Sequence, residues 1–430
     1  STIINMSLLK AKLASQVPDL KDRVRNLGKN HGSKVISEVS VEQVLGGMRG
    51  IKSLICDTSE VGLDYGLVIR GIPILELTEK LPEDVLWLML TGSLPTEEES
   101  KDLQKEINGR MDVPDYIWNI LNAFPADAHP MNMLSALVTA LGYDSKFRRE
   151  YDKGLKKDLY WEYTLEDSLD LIAKMPVIAS AIYRKRFGKG EMIKPSKDLD
   201  WGANYAYMLG IDGNMEEWYK LMRMYMVVHC DHESGNVSAF TSHVVGSALS
   251  DAYYSLAAGL NGLAGPLHGL ANQECLKFVI ELLNHFGKVP SDDELRSFAK
   301  ERLDKGLVIP GYGHAVLRVT DPRFTASLDW GKKVIPNDDR FVVVEKLFNI
   351  VPQLLIEQGK AKDPWPNVDA ATGALLYHYG VKEFEYYTVI FSVSRALGIC
   401  SQLILSRAMG EPITRPKSVT MDWLEKAVNK

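Results

Sequence analysis

Along most of the chain, apolar and polar positions recur with a helical period. Residues 79–90 open Glu-Lys-Leu-Pro and continue into an apolar run from Val85 to Leu90. A proline suits a first helical turn, where its missing N–H has no partner to lose. Thr91-Gly92 then reads as a helix end, glycine suiting the left-handed cap. Thr96 followed by Glu99 is a capping-box signature. Thr164 to Lys174 is amphipathic, and Pro176 predicts its stop, because proline interrupts the helical hydrogen-bond ladder. Residues 216–230 are apolar and rich in Met and Tyr, and residues 384–409 are almost wholly apolar. A helix apolar on most sides belongs inside a large helical protein.

Strand signals are sparse. Ser53 to Asp57 and Tyr65 to Arg70, separated by Gly62 and polar residues, predict one small hairpin. No repeated strand–helix alternation exists, which argues against a doubly wound sheet. The expected fold class is therefore all-α with a minor β-hairpin.

The length, 430 residues, implies two or three domains, or one large domain with a smaller one inserted. A formal net charge of −6 argues against a general nucleic-acid binder, though not against a local arginine cluster around a small anion. Cys56, Cys230, Cys275 and Cys400 lie far apart with no Cys-x-x-Cys pair, which excludes a disulfide scaffold or a cysteine-rich zinc site. No apolar run approaches the roughly 20 residues of a membrane span, so none is expected. The chain begins at Ser1 rather than methionine, which fits removal of an upstream segment.

Glycine and proline concentrate at Gly259–Gly269, Pro310–Gly313 and Asp363–Asp369, marking turns in which function tends to sit. Four segments carry candidate chemistry. In the first, His229-Cys-Asp-His-Glu-Ser-Gly-Asn-Val-Ser238, His229 and His232 would share a face if a helix continued. Metal ligation, buried structural histidines and donation to an anionic ligand all remain open there. The second, Asn261-Gly-Leu-Ala-Gly-Pro-Leu-His268, holds a histidine in a turn near a helix start, where its charged form is disfavoured. A neutral imidazole there can donate N–H to an enolate oxygen, as a core histidine can simply pack.

The third segment runs Pro310-Gly-Tyr-Gly-His314-Ala-Val-Leu-Arg318 and on to Arg323. Its glycines permit close backbone approach, and its arginines could fork onto carboxylates or form a solvated basic turn. The fourth, Lys360-Ala-Lys362-Asp-Pro-Trp-Pro-Asn-Val-Asp369, presents an aspartate after a rigid turn, as a cap or as a general base. Arg395, inside an apolar helix, is costly without an anion beside it. If no acidic side chain meets it, a ligand carboxylate is the simplest alternative. Arg415 lies in a proline-bounded tail, exposed or reaching another subunit.

Together these runs resemble citrate synthases of the mitochondrial type, and the resemblance extends from Gly46-Gly-Met-Arg-Gly50 to Arg415-Pro-Lys417. It implies a large helical domain (1–269 and 381–430) and a small helical domain (270–380), with the active site in the cleft. It implies Claisen-type condensation of acetyl-CoA, as co-substrate, with oxaloacetate, without a metal. By matching position, Asp369 is the base, His268 holds the enol oxygen and His314 polarises the oxaloacetate carbonyl. His232, Arg323, Arg395 and Arg415 match carboxylate ligands, Arg415 coming from the partner of a homodimer. Arg49, Arg318, Lys360, Lys362 and Asn367 fall at coenzyme A-binding positions. The subtype implies the mitochondrial matrix.

Departures from the pattern are Phe240 and Ala371 at positions where vertebrate-type members carry histidine, a shorter segment between Lys80 and Trp87, and Lys157 replacing a coenzyme A-contacting arginine. Within the class the alternative is a 2-methylcitrate synthase that uses propionyl-CoA. Outside it stand a metal-dependent hydrolase built on His229, Asp231, His232 and Glu233, and a non-catalytic coenzyme A-binding protein.

Overall fold

The protein, a computed structural model, is described over residues 6–269, 271–312, 318–359 and 363–430. Among these residues lie nineteen α-helices and a single three-stranded sheet, the all-α class that the periodicity predicts. The chain begins with α1 (Leu8–His31), α2 (Val41–Leu45) and the strands β1 (Ser59–Gly62), β2 (Gly66–Ile69) and β3 (Ile72–Pro73). Then come α3 (Pro82–Thr91), α4 (Glu97–Asn108), α5 (Asp115–Ala123), α6 (Pro130–Leu141), α7 (Lys146–Asp152), α8 (Tyr160–Arg186) and α9 (Trp201–Leu209). The centre of the chain forms α10 (Met215–Val228), α11 (Val237–Ser247) and α12 (Ala252–Leu263). A group follows of α13 (Ala271–Phe286), α14 (Asp292–Asp304), α15 (Pro322–Val334), α16 (Asp339–Gln358) and α17 (Asp369–His378). Finally come α18 (Tyr387–Met409) and α19 (Met421–Val428).

Local signals act as the sequence suggests at most ends. Pro82 occupies the first turn of α3, and Gly92 closes it at φ +86°. Thr96 and Glu99 exchange both capping-box bonds at the start of α4.

Pro176 is the exception: α8 runs straight through it. A proline at 176 cannot donate to the carbonyl of residue 172, four positions back. The Trp201 indole N–H fills that vacancy, donating to the Ile172 carbonyl at 2.9 Å. A tertiary donor thus removes part of the penalty that made a stop the natural expectation.

The hairpin is also displaced from its expected place. β1 is Ser59–Gly62 rather than Ser53–Asp57, pairing Ser59 with Ile69 and Gly62 with Gly66. Gly66, at φ +75°, turns the chain sharply enough that its nearest upstream neighbours pair, and the earlier run stays unpaired.

The core is centred on α18, which packs along α8 and also meets α1, α3, α10, α11 and α12. Against expectation, Phe384–Met409 is long and apolar enough by composition to cross a membrane, but 94% of its apolar window is buried inside the protein. Gly259 and Gly262 lie inside α12 rather than in a turn. A Cβ on Gly259 would come within 2.7 Å of the Ser238 carbonyl, and one on Gly262 within 2.8 Å of Val237. These two glycines therefore serve close packing of α12 on α11. Helices α13 to α17 pack mostly on one another, and touch the remainder chiefly through α15 on the short turn Ile74–Glu76 and β2 and through α13 on α18.

Candidate active site

The segment between α10 and α11 is a loop, because α10 ends at Val228 and His229 is its C-cap. His229 and His232 therefore do not share a helix face. His229 is fully buried, stacked on Tyr225 with ring centroids 4.0 Å apart. Burial and the nearby Arg323 charge hold its imidazole far below the usual range, so it is neutral. Asp231, also fully buried, accepts from Thr58 Oγ1 at 2.5 Å, Ser59 Oγ at 2.7 Å and Gln402 Nε2 at 2.7 Å. Glu233 Oε1 accepts from the Val61 N–H at 2.6 Å. These acidic groups are engaged by separate donors in different directions. Among the described residues no cluster of three metal-ligating side chains exists, and the hydrolase arrangement is not formed.

α18 forms the floor of the site. Arg395 is 2% exposed, and burial pulls its guanidinium down to about 10. Its Nε donates to the His229 carbonyl at 2.9 Å, and its charge sits 4.8 Å over the Phe391 ring. It forms no ion pair within 4.0 Å among the described residues, and of their acidic groups Asp231 favours its charge most. The sequence condition for a ligand carboxylate is therefore met. Arg323, at the start of α15, is buried in a forked pair with Asp321, Nη2 at 2.7 Å and Nε at 3.1 Å. That pair occupies one edge of the fork and leaves Nη1 over.

His268 follows α12 and is partly buried. Its Nε2 accepts from the Ser238 backbone N–H at 3.3 Å and lies 2.9 Å from Ser238 Oγ. A ring nitrogen that accepts from an amide carries no proton, so the hydrogen belongs on Nδ1. Burial, with the Arg395 charge second, brings its pKa down to about 4. The neutrality expected from the turn is found, although it comes from burial and a guanidinium rather than from a helix start.

Asp369 is the first residue of α17. Its N–H donates to Asn367 Oδ1 at 2.9 Å, and the Asn367 N–H donates to the Gly311 carbonyl at 3.0 Å. Gly311, at φ +91°, packs so closely on Ala370 that a Cβ would meet its Cα at 2.9 Å. The third and fourth sequence segments are thereby stitched together. A helix start and two guanidinium groups, Arg323 and Arg395, favour the Asp369 carboxylate. Burial, joined by the Asp321 charge, opposes them and wins, pushing it up to about 6.

Comparison with known proteins agrees with the motifs. A family model described as the citrate synthase C-terminal domain matches residues 47–417. A mitochondrial citrate synthase 4 of Arabidopsis thaliana is 48% identical over 97% of this chain and 90% of its own length. A probable mitochondrial citrate synthase of Glossina morsitans morsitans is 48% identical over 99% of this chain and 93% of its own. The chain belongs to the citrate synthase family. Among solved structures, the citrate synthase of Pyrobaculum aerophilum superposes with a TM-score of 0.78 at 28% identity, over 90% of this chain and 95% of that one. The activity is accordingly an acyl transfer that forms a carbon–carbon bond, joining acetyl-CoA to oxaloacetate and yielding citrate and coenzyme A.

The remaining sequence-predicted positions of this citrate synthase fall as follows. His232 is partly buried on the 229–236 loop, and its carbonyl accepts from the Asn236 side chain at 3.0 Å. Arg318 is exposed, and its N–H donates to the Leu63 carbonyl of the hairpin turn at 2.9 Å. Arg49 and Arg415 are exposed, far along the chain from the other site segments. His314, Lys360 and Lys362 lie outside the described residues. Sequence reasoning overlooked the Ser238 contact to His268 and the Asp321 pairing of Arg323. An Asp two residues before the arginine was the available signal for the second. Nothing local signalled the first.

Proposed function

We propose that the site between the 229–236 loop, α18 and the start of α17 carries out the citrate synthase reaction with Asp369 as its base. The supporting observation is convergence on one charge: Arg395 acts electrostatically on Asp369, His268 and Arg323. Asp369 takes a proton from the methyl carbon of acetyl-CoA. The resulting enol oxygen accepts from His268 Nδ1–H, which needs no change of protonation. The enol carbon attacks the oxaloacetate carbonyl, whose oxygen receives a proton from His314. Water then cleaves the thioester of the bound product, releasing citrate and coenzyme A.

Removing one oxyanion donor of this kind typically costs about 2.7–4 kcal/mol of barrier. Arg323 through Nη1, Arg395 and His232 hold the carboxylates of oxaloacetate, with Arg415 from the partner subunit. Arg49, Arg318, Lys360, Lys362 and Asn367 meet the coenzyme A moiety of the co-substrate acetyl-CoA. Residues 270–380 form the small domain, whose movement against 1–269 and 381–430 shields the enol from water.

A homodimer is favoured by the apolar residues left bare on the two extended arms. Val35 and Ile36 are each 81% exposed, and Ile413 and Met421 each 62%. Large apolar side chains left bare on neighbouring positions are what a partner surface would cover. Among the described residues the Arg415 guanidinium meets only its neighbour, donating to the Pro416 carbonyl at 3.3 Å. The two relatives above are named mitochondrial, and we place this enzyme in the matrix.

The test is thiol release from acetyl-CoA with and without oxaloacetate. Asp369→Ala is expected to lose about 10²–10⁴-fold in turnover while oxaloacetate binding persists. Near-normal turnover removes Asp369 as the base. Faster release from propionyl-CoA than from acetyl-CoA would transfer the assignment to 2-methylcitrate.

A further inference from the structure

The mechanism uses no part of Asp231, yet this buried carboxylate near the site is bonded by three different side chains. We propose that Asp231 is a positioning residue: it clamps the loop bearing His232 between the β1–β2 hairpin and α18, and so sets the affinity for oxaloacetate. The inference rests on reading His232 and Arg395 as oxaloacetate ligands.

Three observations carry it. First, Asp231 is fully buried and spends both carboxylate oxygens on joining separate elements. Oδ2 takes the hydroxyls of Thr58 and Ser59, at and just before the start of β1. Oδ1 takes the amide of Gln402, on α18 two turns beyond Arg395. Second, the loop is sewn to the same two elements on either side of His232. Arg395 Nε donates to the His229 carbonyl, the Gly398 N–H to the Cys230 carbonyl at 3.0 Å, and Gln402 Nε2 to the Glu233 carbonyl at 3.0 Å. From the hairpin side, Ser59 Oγ accepts from the Glu233 N–H at 2.9 Å, and the Val61 N–H reaches Glu233 Oε1.

Third, the backbone pays for the arrangement. Glu233 sits at φ +60°, a left-handed conformation that a side chain resists. Gly398 has no room for one, since its Cβ would lie 2.4 Å from Asp231 Oδ1 and 2.3 Å from the Cys230 carbonyl oxygen. Such strain persists only where surrounding bonds over-determine it. The loop cannot relax without dropping His232 and shifting the Arg395 contact to His229.

The experiment uses the full chain and two variants, Asp231→Asn and the milder Ser59→Ala. Ser59→Ala keeps the buried charge and removes two struts, the bond to Asp231 Oδ2 and the one from the Glu233 N–H. Oxaloacetate affinity is read by calorimetry, which needs no turnover, and KM for both substrates by thiol release. Asp231→Asn is expected to weaken oxaloacetate at least tenfold and Ser59→Ala three- to tenfold, with KM for acetyl-CoA within twofold and the melting midpoint of Ser59→Ala near the parent's. Oxaloacetate affinity within twofold of the parent in both variants overturns the proposal. So does an equal rise in both KM values that follows a fall in melting midpoint, the pattern of general damage. If only Asp231→Asn weakens binding, the effect is one of charge on Arg395 and the clamp is overturned. A parent chain that binds no oxaloacetate would instead sink the ligand assignment beneath it.

Discussion

Two arginines lie twelve residues apart in α18, both buried in apolar surroundings, and they are held in different ways. Arg407 is well engaged: Nη2 donates to the carbonyls of Gly246 at 3.0 Å and Ser250 at 2.5 Å, Nη1 reaches Thr164 Oγ1 at 3.4 Å, and the group lies over the Phe147 ring. Arg395 has one carbonyl and one ring. Burial lowers each to about 10, so desolvation alone does not separate them. What differs is the unspent donor capacity. A guanidinium carries five donors, and leaving them unmet in a dry interior is costly unless something else arrives to take them. Arg407 ties the α11–α12 corner to α18. Arg395, with fewer partners among the described residues, is the one we propose to bind an anion.

The largest effect that would test this contrast is on binding. Arg395→Leu should weaken oxaloacetate by roughly 10²–10⁴-fold, the loss of two charge-assisted bonds of about 1.5–3 kcal/mol each before non-additivity. Its melting midpoint should hold or rise, since a buried charge is replaced by an apolar side chain. Arg407→Leu should do the reverse, orphaning two buried carbonyls at about 1–3 kcal/mol each and lowering the midpoint while the KM for oxaloacetate stays put. Calorimetric titration and thermal melts of both variants decide it; loss of binding in Arg407→Leu at temperatures where it is folded would erase the distinction.

A next, smaller effect concerns pH. As the proposed base Asp369 must be ionised, and its carboxyl is raised to about 6, so turnover should fall as pH drops through 6, about tenfold per unit. His268, near 4, is neutral across that range and cannot be the source. A folded-state pKa raised above the unfolded value near 3.9 means that the folded chain holds its proton longer. The carboxylate therefore subtracts stability as pH rises from about 4 to 6, fully so above 6. Asp369→Asn should melt higher than the parent at pH 8, and the gain should vanish by pH 4. An acid limb that survives in a pH–rate profile centred well below 5 would dissociate it from Asp369.

The smallest effect sharpens the role of geometry. Arg395→Lys keeps the charge but not the planar fork, and should cost about tenfold in oxaloacetate affinity, well short of the leucine variant. Equal losses for the two variants would mean that shape, not charge, is what the site requires.

Much of this was legible in the sequence, for identifiable reasons. Helix class and the α3 and α4 ends rest on local spacing, which the chain states outright. The burial of Arg395 followed from its apolar neighbours. What stayed hidden depends on partners distant in sequence. Pro176 reads as a stop until Trp201 supplies a donor. Asp231 reads as a metal ligand until Thr58, Ser59 and Gln402 surround it. Arg407 stands in the same apolar helix as Arg395, and only the carbonyls of Gly246 and Ser250 reveal that it is spoken for. Gly259 and Gly262 suggest a turn when read locally, whereas their smallness is used by α11.

The indole contact to Ile172 makes positions 176 and 201 mutationally entangled. Trp201→Phe harms a chain that keeps its proline, because the carbonyl loses its stand-in donor. In a chain carrying alanine at 176, the ladder closes on its own and the same loss of the indole N–H should matter far less. Tolerance at one site is thus conditional on the identity of the other, and a scan of single substitutions would misjudge both.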